Sequence, residues 1–358
     1  MFKKKLKTLL IAFTTATILV IAMFFYFKLN KNKSFLKENG FIRTTLYPKE
    51  ISLRFKVDLK EDEYKFLGYY KNQIFFFGQL SNTLLSLADS LPLYENTILK
   101  LDSIINKKLD VSNVYLDTSI DKIYIFSNAD MSVYEYDLQN RKVSNTIKIL
   151  SPFAWGIKRK ANEFILNQQY GKKLKFSFYG YSLNDNTKTL VSNGKESNLI
   201  LRNMIDDGDL LNFDNNNLVY ISYYKNPLYL LDSNLKIINT FKLIDTVSSG
   251  PSVVFIGSNG TGTLKYTSPL RITNPNFCVS NDNLFVHSLV KAENETDEEF
   301  KNNNIIDVYK IKEQGKYAGT YYLPKIKEKQ ITDFYVAGQK AIFIYQNVLL
   351  VYEKNDTF

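Results

Sequence analysis

The chain has 358 residues, a formal net charge of +10, one cysteine, one histidine and one tryptophan, but 25 tyrosines and 26 phenylalanines. One cysteine excludes an intramolecular disulfide. The charge is local: residues 1–49 hold ten Lys/Arg and one acid, while residues 50–358 hold 36 basic and 35 acidic side chains. The globular part therefore has no basic field to gather nucleic acid, and the N-terminal excess suits anionic lipid headgroups instead.

Thr8–Phe27 passes without a charge, flanked by Lys3, Lys4, Lys5 and Lys7 before it and Lys28, Lys31 and Lys33 after it. At ~1.5 Å per residue its twenty residues make about 30 Å of helix, the thickness of a bilayer core. The run ends in Phe24-Phe25-Tyr26-Phe27, where a cleaved signal peptide needs small residues. The sequence thus predicts an uncleaved transmembrane signal anchor over residues 1–28 and a Lys/Asn-rich juxtamembrane tether over 29–50. A β domain follows over 51–355. A short N-terminal tail before a long domain favours a cytoplasmic N-terminus and an exported domain at the inner membrane.

Ile51–Leu59 alternates apolar and polar residues, as a half-buried strand does. A unit then recurs. A polar turn leads into a strongly apolar strand: Gln73–Gly78, Lys122–Ser127, Glu163–Asn167, Leu218–Tyr223, Leu284–Leu289 and Ala341–Tyr345. A second strand follows each, as in Ser132–Leu138 and Val348–Tyr352, and often a third, as in Val143–Ile149. Six units, 41 to 66 residues apart and almost without helix periodicity, predict an all-β fold. The architecture expected is a six-bladed β-propeller preceded by one transmembrane helix, with Ile51–Leu59 closing the last blade. Ser248–Pro269 reads as a long Gly/Ser-rich loop with one strand, and Lys291–Asn304 as a polar excursion.

The N-terminal span, Tyr69–Gly78 with Leu84–Leu87, Leu218–Leu231 and Ile305–Tyr309 give the chain a resemblance across most of its length. It resembles an uncharacterised family of membrane-anchored, propeller-like proteins of Bacteroidota. The resemblance implies a fold and a location and brings no catalytic residues with it.

No motif carries a specific chemistry. Cys278 and His287 fall as diagonal neighbours on one face of a hairpin, a geometry open to a Cys-His nucleophile, although free cysteines are mostly buried core residues. Asp206, Asp207, Asp209 and Asp214 form the densest acidic patch but lack EF-hand order, so a solvated loop is expected and no metal site. Gly257–Thr263 is glycine-rich but continues as strand, which fits a hairpin tip better than a phosphate cradle. No cofactor is expected. The preferred ligand-binding candidates are the aromatics Trp155, Tyr223 and Tyr224, read as surface residues near blade ends. The function expected is a binding or scaffold module for an envelope protein, peptide or glycan. The alternative is a periplasmic hydrolase or lyase, for which two carboxylates, or a carboxylate with Tyr or Arg, must converge in the central funnel.

Overall fold

A computed structural model of the chain describes residues 40–46, 52–59, 63–88, 95–149, 153, 155–160, 163–170, 175–182, 188–192, 207–214, 216–250, 253–258, 261–267, 269–326, 329 and 331–353, with 36–37 and parts of 15–23. Of the expected anchor, Thr15, Thr17–Ile21 and Met23 are described, helical and exposed; the rest of Thr8–Phe27 lies outside the described residues. Among the described residues no helix is long and apolar enough to cross a membrane.

Six four-stranded antiparallel sheets form the body. Sheet I runs Tyr64–Tyr70, Gln73–Gly78, Thr83–Ala88, Glu95–Lys100. Sheet II runs Val111–Asp117, Lys122–Ser127, Ser132–Asp137, Lys142–Lys148. Sheet III is Trp155–Lys160, Glu163–Tyr170, Lys175–Ser182, Lys188–Ser192. Sheet IV is Gly208–Asn212, Asn217–Ser222, Pro227–Asp232, Ile237–Lys242. Sheet V is Asn276–Ser280, Asn283–Ser288, Asn303–Lys310, Lys316–Pro324. Sheet VI is Asp333–Ala337, Lys340–Tyr345, Val348–Glu353 and, last, Ser52–Asp58. The first strand of each sheet touches the first strands of its two neighbours in cyclic order. The result is an all-β propeller.

The second strand of five sheets is buried at every position but its first. It sits mid-sheet with another sheet against each face, so both of its side-chain rows must be apolar. Every sheet-to-sheet interface holds its own cluster, such as Ile74, Phe76 and Leu85 of sheet I against Ile342, Ile344 and Leu349 of sheet VI. The turns fit their chemistry. Lys71-Asn72 and Asn281-Asp282 join strands as two-residue loops with positive φ at both residues, the twist-matched hairpin geometry. In four of the four-residue loops the last residue is left-handed: Asn82, Asp121, Met131 and Arg141.

Three sequence expectations are corrected. The apolar strand of each unit is the second of its sheet, because a less apolar inner strand precedes it. Ser248–Pro269 contains a hairpin, Val253–Ser258 against Thr261–Tyr266, whose glycines 257 and 262 pair beside the tip. Within the segment read as a tether, residues 36–37 and 40–46 are tied to sheet V and to the excursion after its second strand. Leu36–Lys37 pairs in parallel with Val290–Lys291, and Thr45 bridges Thr320. The excursion holds a short helix, Asp297–Asn302, started by a Thr296/Glu299 capping box.

Arg43 is the centre of that packing, with 2% of its surface exposed. Its Nε and Nη2 donate to the two oxygens of Asp307 at 2.9 and 3.0 Å. Nη1 donates to Glu295 at 2.9 Å and to the Val290 carbonyl at 2.8 Å, and Nη2 also reaches Ser288 Oγ at 2.8 Å. All five guanidinium hydrogens are thereby engaged. Burial opposes its charge, but Asp307 and Glu295 outweigh that and hold the group firmly protonated. Tyr322 and Thr320 hydroxyls and the Ala292 N–H complete the carboxylate shells.

Removing Arg43 leaves two buried carboxylates without their cation, which costs about 3–5 kcal/mol. Arg43→Ala should therefore lower the urea-unfolding free energy by about that much, and Arg43→Lys, which keeps the charge but loses the fork, by less. A loss below about 1 kcal/mol for Arg43→Ala would mean the segment is not held by this cluster. Gly319 gives a second check. It has φ +144° and approaches so closely that an added Cβ would lie 2.5 Å from Leu46 Cγ. Gly319→Ala should cost about 1–3 kcal/mol in the same assay.

Candidate functional site

The six inner strands enclose a central channel of about 630 Å³. Each inner strand pairs on one side only, so its other edge carries backbone groups in need of partners. Side chains from neighbouring sheets supply several. Asn113 of sheet II donates to the Gly156 carbonyl of sheet III at 2.8 Å. Asn212 of sheet IV donates to Tyr115 Oη at 3.2 Å and to the Lys158 carbonyl at 3.4 Å. Asp333 of sheet VI accepts the Phe66 N–H of sheet I at 2.7 Å and its own next amide, Phe334 N–H, at 2.8 Å.

Asp209 and Asp333 both line the channel and are half-buried. Asp209 accepts the Leu210 N–H at 2.8 Å. Burial pushes the Asp333 carboxyl up to about 6; its two backbone N–H bonds and Lys65 oppose the rise, and the negative charge of Asp209 adds to it. Asp209 moves upward for the same reasons, by burial first, with Leu210 N–H and Lys65 opposing and Asp207 adding. Around these carboxyls stand aromatic rings. Tyr223 lies 6.2 Å from Phe277, and Tyr335 stacks on Phe66 at 4.2 Å. Burial, then the charges of Asp209, Asp207 and Asp333, keep the Tyr223 phenol protonated. The channel thus offers flat apolar faces beside two carboxyls, one of which changes charge close to neutrality.

Trp155 and Tyr223, expected as binding residues, both line this channel. They lie in the interior of the ring and not on an outer surface. Tyr224 is corrected: it is 6% exposed, its ring is 6.4 Å from Tyr223 at 84°, and its hydroxyl bonds Tyr266. Both residues lie in the bend that joins Asn217–Ser222 to Pro227–Asp232, and Tyr224 does not line the channel. The sequence missed Asp209 and Asp333. Asp209 falls in the segment expected as a solvated loop, whereas Gly208–Asn212 is an inner strand. The usable signal was position, one turn ahead of an apolar strand.

Cys278 and His287 do share a face, since Cys278 pairs with Phe285 and Asn276 with His287. Their environment disables the pair. Burial drives the Cys278 thiol upward and pulls His287 down to about 3, the latter with help from Lys325, so neither thiolate nor imidazolium forms near neutrality. Asp214 serves a turn, accepting the amides of Asn216 and Asn217 at 2.8 Å each. Among the described residues no three His, Cys, Asp or Glu side chains gather as a metal site.

No family model and no curated protein matches the chain. Solved structures do. A member of the duf4221 family from Bacteroides vulgatus aligns at TM-score 0.53 and 12% identity, over 86% of this chain and 98% of that one. A streptogramin B lyase aligns at TM-score 0.51 and 13% identity, over 87% and 100%. Virginiamycin B lyase from Staphylococcus aureus aligns at TM-score 0.50 and 12% identity, over 85% and 99%. At such identities the likeness establishes the propeller fold and nothing of the chemistry.

Asp333 gives a test of the site's electrostatics. Its folded value of about 6 lies above the ~4 of an unfolded aspartate. The folded state therefore holds the proton more tightly, and stability present below pH ~4 is lost as pH rises through about 6. Asp333→Asn cannot titrate. The stability of the parent minus that of the variant should fall between pH 4 and 7, by about 1–2 kcal/mol once solvent in the channel is allowed for. A difference constant across that window would show that Asp333 is not perturbed.

Proposed function

We propose that the chain is a six-bladed, membrane-anchored propeller of the bacterial envelope whose central channel binds a peptide or glycan. The observation that carries this reading is the lining of the channel. Trp155, Tyr223, Phe277 and Tyr335 supply rigid aromatic faces, and Asp209 and Asp333 supply hydrogen-bond acceptors fixed by backbone amides. Aromatic faces stack on sugar rings or on apolar peptide side chains, and carboxylates accept from hydroxyl or ammonium groups. The uncharged run Thr8–Phe27 with its lysine flanks supports the anchored part of the reading, and the short tail before it supports an exported domain.

A second reading has one specific observation in its favour. Asp333, poised near pH 6, and Asp209 share the channel with the phenol of Tyr223, which meets the condition set for a hydrolase or lyase. In that case Asp333 would move a proton at the bound ligand. Two of the aligned structures are lyases, but at 12–13% identity they lend the fold alone.

Peptide and glycan arrays probed with the full-length chain decide between these. Binding to a defined class should weaken at least about tenfold in Trp155→Ala and in Asp209→Asn, the loss expected for a central contact. Unchanged binding in both variants would remove the channel as the site. If the ligand is also consumed, with a pH profile near 6 that Asp333→Asn abolishes, the enzymatic reading replaces the binding one.

A further inference from the structure

The first strands of the six sheets are in step around the channel. The fifth residues of the second strands pair with Lys65, Asn113, Trp155, Asp209, Asn276 and Asp333 of sheets I to VI. All six line the channel, so they form one tier around its axis. Lys65 is exposed, as is Thr332 beside Asp333, which puts this tier at a mouth. The fourth residues pair with Phe66, Val114, Gly156, Leu210, Phe277 and Phe334, which line the channel as well. No side chain of this second tier carries a polar atom. The channel is therefore amphipathic along its axis, with a polar collar at the mouth and an apolar ring one residue deeper.

The collar is unbalanced in charge. Lys65, Asp209 and Asp333 are the charged residues that line the channel, one cation against two carboxyls. Backbone amides hold both carboxyls in place, Phe66 N–H and Phe334 N–H on Asp333 and Leu210 N–H on Asp209 Oδ1. Asp209 Oδ2 has no hydrogen-bond partner among the described residues, and this half-buried side chain lines the channel, so the oxygen is available to a ligand. The negative charge of Asp209 also pushes the Asp333 carboxyl upward, a repulsion that a bound cation relieves. Trp155 stands in the same tier, and Tyr223 lies beside Phe277, so π faces that attract a cation flank the carboxyls.

Resting on the channel as the binding site, we propose that its mouth reads a primary ammonium group carried on an apolar body, as at the free N-terminus of a peptide that begins with an aromatic or aliphatic residue. The ammonium donates to Asp209 and Asp333 beside Trp155, while the first side chain rests on the apolar ring at Phe66, Leu210 and Phe277. The channel volume of about 630 Å³ falls within the ~300–1,000 Å³ of small-ligand sites, so a short peptide end fits. A neutral glycan leaves the charge of the collar unmatched.

Trp155 is the only tryptophan of the chain, so its fluorescence reports on the mouth alone. The full-length chain is titrated at neutral pH with phenylalanyl-alanyl-alaninamide and with its N-acetyl form, followed by this fluorescence and by calorimetry. Saturable binding of the free peptide is expected, at least about tenfold tighter than that of the acetylated one. Asp209→Asn, which still accepts the Leu210 N–H, should weaken the free peptide at least about tenfold and bring the two within about twofold of each other. Lys65→Gln, at an exposed position, should tighten the free peptide, because it removes a like charge. Phenethylamine binding as tightly as the tripeptide supports a free amine as the source of the ammonium; weaker phenethylamine binding supports a peptide end. Equal affinity for free and acetylated peptide overturns the proposal. So does tighter binding of 3-phenylpropionate than of phenethylamine, weaker binding in Lys65→Gln, or no saturable binding up to about 10 mM. If the ammonium fails in this way but an array ligand still shifts the Trp155 emission, the channel stands as the site; if no ligand of any class does so, both readings fall.

Discussion

The propeller depends on one pairing. Ser52–Asp58 joins sheet VI as its outermost strand, in register from Ser52 opposite Glu353 to Asp58 opposite Val348. The other three strands of that sheet come from the far end of the described chain. Without Ser52–Asp58, Val348–Glu353 would expose an unpaired edge, and the cluster shared by sheets VI and I would lose Phe55. Bringing residues some 300 positions apart into register has a loop-closure cost that grows only with the logarithm of length. Paired backbone and a common apolar cluster offset it. The channel exists because the ring is closed, since its walls are six strands held in place by their outer neighbours.

The segment before Ser52 makes a second closure. Arg43 ties it to Asp307 and Glu295 of the adjoining sheet and excursion, and Leu46 fills the space that Gly319 leaves open. An arginine between two buried carboxylates is weak evidence for net stability against an apolar replacement, but it is strict about position. Its five donors fit one arrangement of acceptors only. The cluster therefore fixes where the segment around Arg43 lies against the propeller.

What could be read from sequence, and what could not, follows from burial. QIFFFG, KIYIFS and KAIFIY are plain in the sequence because those strands are buried on both faces. The closing strand was legible because Ser52–Asp58 has one apolar row and one wet row. The inner strands were not. Gly208–Asn212 and Asn276–Ser280 mix small, polar and aromatic residues because one side meets the ring and the other a polar channel, and such a mixture resembles a loop. The site was hidden in the strands that sequence periodicity describes worst. Trp155 and Tyr223 stand out by residue type and line the channel, whereas Asp209 and Asp333 required the ring to bring sheets IV and VI to one axis. Arg43 was hidden differently: one arginine in a lysine-rich stretch gives no sign of two acids about 250 residues away.

Hydrogen–deuterium exchange of the full-length chain, followed by peptide mass spectrometry, tests the closure most directly. If Ser52–Asp58 is integral, its amides and those of Val348–Glu353 should exchange together, at the slow rate of the mid-sheet strands Lys122–Ser127 and Asn283–Ser288. Exchange of Ser52–Asp58 orders of magnitude faster than those strands would contradict the account. The N-terminal segment would then be an appendage, and the ring would have to be held without it.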